Sequence, residues 1–152
     1  MKTLFALSTL AVLGLFAATP APVSAQVAVR PVSPEDIAKR CTAKVNNVVD
    51  RCRDAASTET ERCLRVIRKL LATGHRKAAR RVARDCIQSA TDRTGQCVDR
   101  VWRICDACID KLLALGAFKL ARRVHGVCED AVEDLRAILQ REKSAIQGAF
   151  GG

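Results

Sequence analysis

The chain has 152 residues, with 26 Lys or Arg against 16 Asp or Glu, a net charge of +10, eight cysteines and only 3% aromatic residues. That length fits one domain, and a hydrophobic content of 49% excludes a wholly disordered chain. All four prolines precede residue 35; so long a proline-free remainder with few aromatics speaks against a β-sandwich or an α/β domain.

Met1-Lys2-Thr3 is a short positive start, Leu4 to Ala18 is an uncharged apolar run, and Val23-Ser24-Ala25 supplies small residues before Gln26. This is the order of a secretory signal, expected over residues 1–25 with cleavage near Ala25. The apolar run is shorter than the ~20 residues needed to span a bilayer. A secreted or periplasmic protein is therefore expected, in a compartment where disulfides persist. Residues 26–33 have no periodicity and read as a flexible leader.

Ser33-Pro34-Glu35-Asp36 then opens a helix: an N-cap hydroxyl, proline in the first turn and two acids against the helix dipole. Apolar residues follow in steps of three and four from Ile37 through Cys41, Val45, Val48, Cys52, Ala56, Cys63 and Ile67 to Leu70. Gly74 breaks this series. A second runs from Ala79 to Leu112 and ends at Gly116; a third runs from Ala121 to Ile146, ahead of a glycine-containing tail at 148–152. The expectation is an all-α, antiparallel bundle of three long helices, near 34–73, 75–115 and 117–147, because such short connections force neighbouring helices to reverse. Ser57–Glu61 and Thr91–Gly95 are weaker helix sequence, and a kink or loop at either would make four or five helices.

An internal repeat is present at an offset of 42. Between residues 63–86 and 105–128, thirteen of 24 positions are identical, including both flanking cysteines, Lys69/Lys111, Leu70-Leu71-Ala72/Leu112-Leu113-Ala114, Gly74/Gly116 and Arg80-Arg81-Val82/Arg122-Arg123-Val124. Each copy is a helix, a glycine turn and a helix.

Cys41, Cys52 and Cys63 are spaced by eleven, as are Cys86, Cys97 and Cys108. Eleven residues are close to three helical turns, so each trio points to nearly one side of its helix. In an antiparallel hairpin, residues at equal height have a constant sum of residue numbers. For 41 and 108, 52 and 97, and 63 and 86 that sum is 149, about twice the position of Gly74. For 105 and 128 it is 233, about twice that of Gly116. Four disulfides are therefore expected: Cys41–Cys108, Cys52–Cys97, Cys63–Cys86 and Cys105–Cys128. A narrow rod with few aromatics buries little, and covalent rungs offset that shortage.

Two other uses of the thiols compete with this pairing. Cys105, Cys108, His125 and Cys128 could meet at one level as a Cys3His set for zinc or copper. A cysteine-lined helical bundle is also similar in outline to the bacterial copper-storage proteins, which are far richer in cysteine and differently spaced; that likeness implies a metal-binding role in the cell envelope. The hairpin bridges are similar in principle to the twin CX9C hairpins of mitochondria, although the spacing here is ten. Cys105-Asp106-Ala107-Cys108 is a CxxC, which raises a thiol redox protein, but it lies mid-helix beside acids rather than at a helix N-terminus, where a thiolate is stabilised.

The first turn is strongly basic. Arg62, Arg65, Arg68, Lys69, Arg76, Lys77, Arg80, Arg81 and Arg84 stand in residues 62–84 without an acid. The same height rule ends the third helix opposite Cys86, so this corner is expected to project and to bind an anionic polymer, a lipid surface or an acidic protein. Poorly covered Leu64, Ile67, Leu70, Leu71 and Val82 would then favour a homodimer there, and Glu129, Asp130, Glu133 and Asp134 offer an acidic face. Trp102, Phe118 and Phe150 are too few for a base-stacking platform, so sequence-specific nucleic-acid binding is not expected. No catalytic constellation is present: both histidines are isolated, and neither a phosphate loop nor a nucleophile elbow occurs. The expected role is non-catalytic, structural or binding, with no cofactor.

Overall fold

The computed structural model describes residues 32–150. The expected signal segment, 1–25, and most of the expected leader, 26–33, lie outside them. Three helices fill the described chain: α1, Pro34–Ala72; α2, Arg76–Ala114; and α3, Phe118–Gly148. Each packs on the other two. The 39 residues of α1 extend for about 58 Å, so the bundle is long and narrow.

Local chemistry sets the helix ends. The Asp36 amide donates to Ser33 Oγ at 3.1 Å, with Pro34 and the two acids in the first turn. At the first corner the Gly74 amide donates to the Leu71 carbonyl (3.0 Å) and the His75 amide to the Leu70 carbonyl (2.8 Å). At the second, Gly116 donates to Leu113 (2.9 Å) and Ala117 to Leu112 (2.8 Å). These are two copies of one Schellman cap, each needing a left-handed residue; Gly74 has φ +78° and Gly116 φ +69°.

Residues 57–61 and 91–95 are helical rather than looped. Two of their hydroxyls are absorbed within the helix, since Thr58 Oγ1 donates to the Asp54 carbonyl and Thr91 Oγ1 to the Ile87 carbonyl. Buried Ala56, Ala90 and Thr94 hold both segments against their neighbours.

The core is built from small aliphatic side chains and comes in two parts. The larger runs from Ala38 to Ile138 around Val45, Val101, Leu112, Val124 and Leu135; the smaller gathers Ile67, Ala79, Ala83 and Ile146 near the first corner. Between them lies a polar layer. Glu142 of α3 is buried, its Oε1 accepting from Thr60 of α1 (2.8 Å) and from Arg93 of α2 (2.5 Å), while Oε2 has no hydrogen-bond partner. A buried carboxylate is tolerable only when it is paired, so this layer fixes the register of all three helices at one height.

Four disulfides cross the helices: Cys41–Cys108, Cys52–Cys97 and Cys63–Cys86 join α1 to α2, and Cys105–Cys128 joins α2 to α3. Their Cα–Cα distances are 6.1, 6.4, 6.3 and 6.3 Å, within the range that accepts a bridge without backbone movement. An oxidising compartment suits such a protein. No described helix is long and apolar enough to cross a membrane.

Candidate anion-binding corner

The basic corner is the hairpin formed by the end of α1, the Gly74 turn and the start of α2. Cys63–Cys86 closes its base. Inside, Ile67 and Ala79 are fully buried, because α3 reaches further than the height rule suggested: Ile146 joins the cluster, and Ala149 and Phe150 pack against it. The expected projecting tip is thus partly covered by residues read from the sequence as a tail. The apolar residues expected to be bare are covered in part. Leu64, Leu70, Leu71 and Val82 are half-buried, leaving Val66 as the exposed large apolar residue of the corner.

All nine cations are exposed. Among the described residues the close contacts between basic and acidic side chains are Arg53–Asp50, Arg93–Glu142 and His125–Glu129, so none of the nine is paired with a neighbouring acid. The cations stand on the outer faces of both helices, and none lines the grooves of the shaft. One such groove encloses about 380 Å3 between Asp50, Asp130 and Asp134. The corner is a convex, multiply charged knob rather than a pocket.

Its electrostatics are clearest against the rest of the molecule. Residues 62–84 hold nine basic and no acidic residues, whereas 32–61 and 85–150 together hold 15 basic and 16 acidic ones. The shaft is close to neutral, and the excess charge of the described chain sits at one end. At that end α2 also begins without a side-chain cap and without an acid in its first turn. Positively charged Arg76 and Lys77 stand where the helix dipole favours the opposite sign.

Nothing matches this chain among family models, curated proteins or solved structures.

The other candidate sites come apart. The Cys3His set is not assembled: Cys105 is bonded to Cys128 and Cys108 to Cys41, no cysteine is free, and His125 is exposed beside Glu129 and Trp102. Among the described residues no group of three His, Cys, Asp or Glu side chains stands close enough to hold a metal. The two sulfurs of the CxxC are bonded to different helices, not to each other, so that motif holds no vicinal redox pair. Glu129, Asp130, Glu133 and Asp134 are exposed along α3. What the sequence reading missed is the Thr60–Arg93–Glu142 layer. One signal was available: Glu142 occupies the step of three and four between Ile138 and Ile146 where an apolar residue was due.

Proposed function

We propose that this protein is an exported, non-catalytic helical rod that binds an anionic partner through the basic corner at Gly74. The observation that carries the reading is the partition of charge. Cations that served solubility alone would be spread over the surface, whereas here nine unpaired ones crowd onto one end of a nearly neutral shaft. The disulfides supply the matching rigidity, with Cys63–Cys86 holding both cationic arms together against their mutual repulsion.

The test expresses the full chain and follows where it goes. A mature protein beginning at Gln26, recovered outside the cytoplasm with no alkylatable thiol, is expected. It should adhere to an anionic surface polymer and elute with salt. The triple reversal Arg68→Glu, Arg76→Glu and Arg80→Glu should abolish adherence while leaving helicity unchanged. Adherence that survives the reversal would remove the corner as the binding site.

A further inference from the structure

Resting on that reading, we infer that the partner is a flexible linear polyanion lying along and around the hairpin, with closely spaced phosphate or sulfate groups, rather than a flat bilayer met end-on. The distribution of the cations along the corner decides between these. From Arg62 to the Gly74 turn is roughly 15 Å of helix. A planar surface touching the turn would feel charges within a Debye length of about 8–10 Å. It would engage Lys69, Arg76 and Lys77, with Arg68 and Arg80 about 9 Å back at the edge of that range, leaving Arg62, Arg65 and Arg84 too far up the shaft to contribute. The turn itself, Ala72-Thr73-Gly74-His75, carries no Lys or Arg, which is the wrong place to be empty for a surface met head-on.

The circumferential arrangement points the same way. At 100° per residue, Arg62, Arg65, Arg68 and Lys69 spread over the whole outer arc of α1, and Arg76, Lys77, Arg80, Arg81 and Arg84 over that of α2. A chain of oxyanions that bends can meet both arcs; a rigid plane meets neither fully. The exposed arginines offer forked donors that fit phosphate and sulfate oxygens. α2 also begins here without a side-chain cap, placing the positive end of its dipole beside Arg76 and Lys77. Base recognition is not part of the design. Phe150 is packed into the apolar cluster, and Trp102 and Phe118 lie outside the corner, so no ring is presented for stacking.

The experiment uses the full mature chain with four probes: heparin for sulfate, linear inorganic polyphosphate for phosphate, vesicles containing an anionic phospholipid, and oligothymidylate of matched charge. Two variants divide the corner, Arg62→Gln/Arg65→Gln/Arg84→Gln near its base and Lys69→Gln/Arg76→Gln/Lys77→Gln near its turn. Nine contacts at about 0.7 released counterions each give a slope near −6 for log affinity against log salt. Each variant should bring that slope to about −4 on heparin, polyphosphate or both; the polymer on which both variants lower the slope identifies the anion. A base variant that binds the polymers with the parent slope, or vesicle binding that exceeds polymer binding and depends on the turn variant alone, overturns the inference while leaving the corner as the site. Oligothymidylate bound more tightly than polyphosphate would overturn it by revealing base contacts. If neither variant changes any probe, the proposed function fails as well.

Discussion

The two glycine corners share one backbone solution and present different surfaces. Both end a helix in the same Schellman cap at a glycine with positive φ, and both are closed by a disulfide of sequence separation 23 with Cα atoms 6.3 Å apart. The residues common to both include those that build the turn: the paired leucines, the glycine, the cysteines, and Ala79/Ala121 on the buried face. Four cations are also shared, Lys69/Lys111, Lys77/Lys119, Arg80/Arg122 and Arg81/Arg123. The other five cations of the first corner fall where the copies differ, with Arg62, Arg65, Arg68, Arg76 and Arg84 standing opposite Ile104, Ala107, Asp110, Phe118 and Gly126. At the second corner Phe118 and Leu115 are instead 68% and 55% exposed. What is common to the copies makes the hairpin and four of its cations, and what differs adds the other five.

Paired substitutions at equivalent positions separate those two layers. The largest effect is expected from the bridges. Replacing Cys105 and Cys128 by Ala should destabilise by about 3–5 kcal/mol, because a cross-link is lost and two fully buried side chains shrink. The same change at Cys63 and Cys86, where Cys86 is only half-buried, should cost about 2–3 kcal/mol in urea titrations. Leucine truncation comes next. Leu112→Ala, at a fully buried site, should cost about 3 kcal/mol, and Leu70→Ala, half-buried in the same motif, about 1 kcal/mol. Equal losses would mean that the corners are packed alike.

The glycines should show no such contrast. Gly74→Ala and Gly116→Ala each force an L-residue into the left-handed region at about 1–2 kcal/mol, with open space around both added methyls, so their urea midpoints should fall together. The smallest effect belongs to the shared arginine pair. Arg80→Gln/Arg81→Gln should raise Tm slightly at low ionic strength by relieving like-charge crowding, and the gain should vanish in high salt. Arg122→Gln/Arg123→Gln should give no gain, since Arg123 shares a groove with Glu35. A gain at both corners would show that the first is not electrostatically special.

The helices and their register were legible because they are governed by short-range periodicity. An apolar step of three or four, an eleven-residue cysteine interval and a glycine between two such series constrain the backbone without long-range knowledge. The polar layer was not legible in the same way. Thr60, Arg93 and Glu142 are brought together from three helices, and neither Thr60 nor Arg93 interrupts an apolar series; only the misplaced Glu142 hinted at it. The polar run at 57–61 looked like a break because its residues favour caps locally, but burial of neighbouring Ala56 and the flanking rungs at Cys52 and Cys63 override that preference. The cover over the first corner was hidden by Gly148. A glycine so near the end reads as the start of a tail, yet Ala149 and Phe150 still find apolar partners. The corner itself was fully visible as a list of cations. The structure added that none of these cations stands beside an acid among the described residues.

The placement of the bridges also determines how the molecule would respond to being pulled. Tension applied between Val32 and Phe150 follows the shortest covalent route: along α1 to Cys41, across to Cys108, three residues back to Cys105, across again to Cys128, then along α3. Everything from Thr42 to Ile104, the cationic hairpin included, lies off that route. Once Phe150 had peeled from its apolar partners, a load on the ends would draw out the start of α1 and the far part of α3 while the bonded loop kept its full extent, so anything gripped there would be held by an element outside the covalent load path.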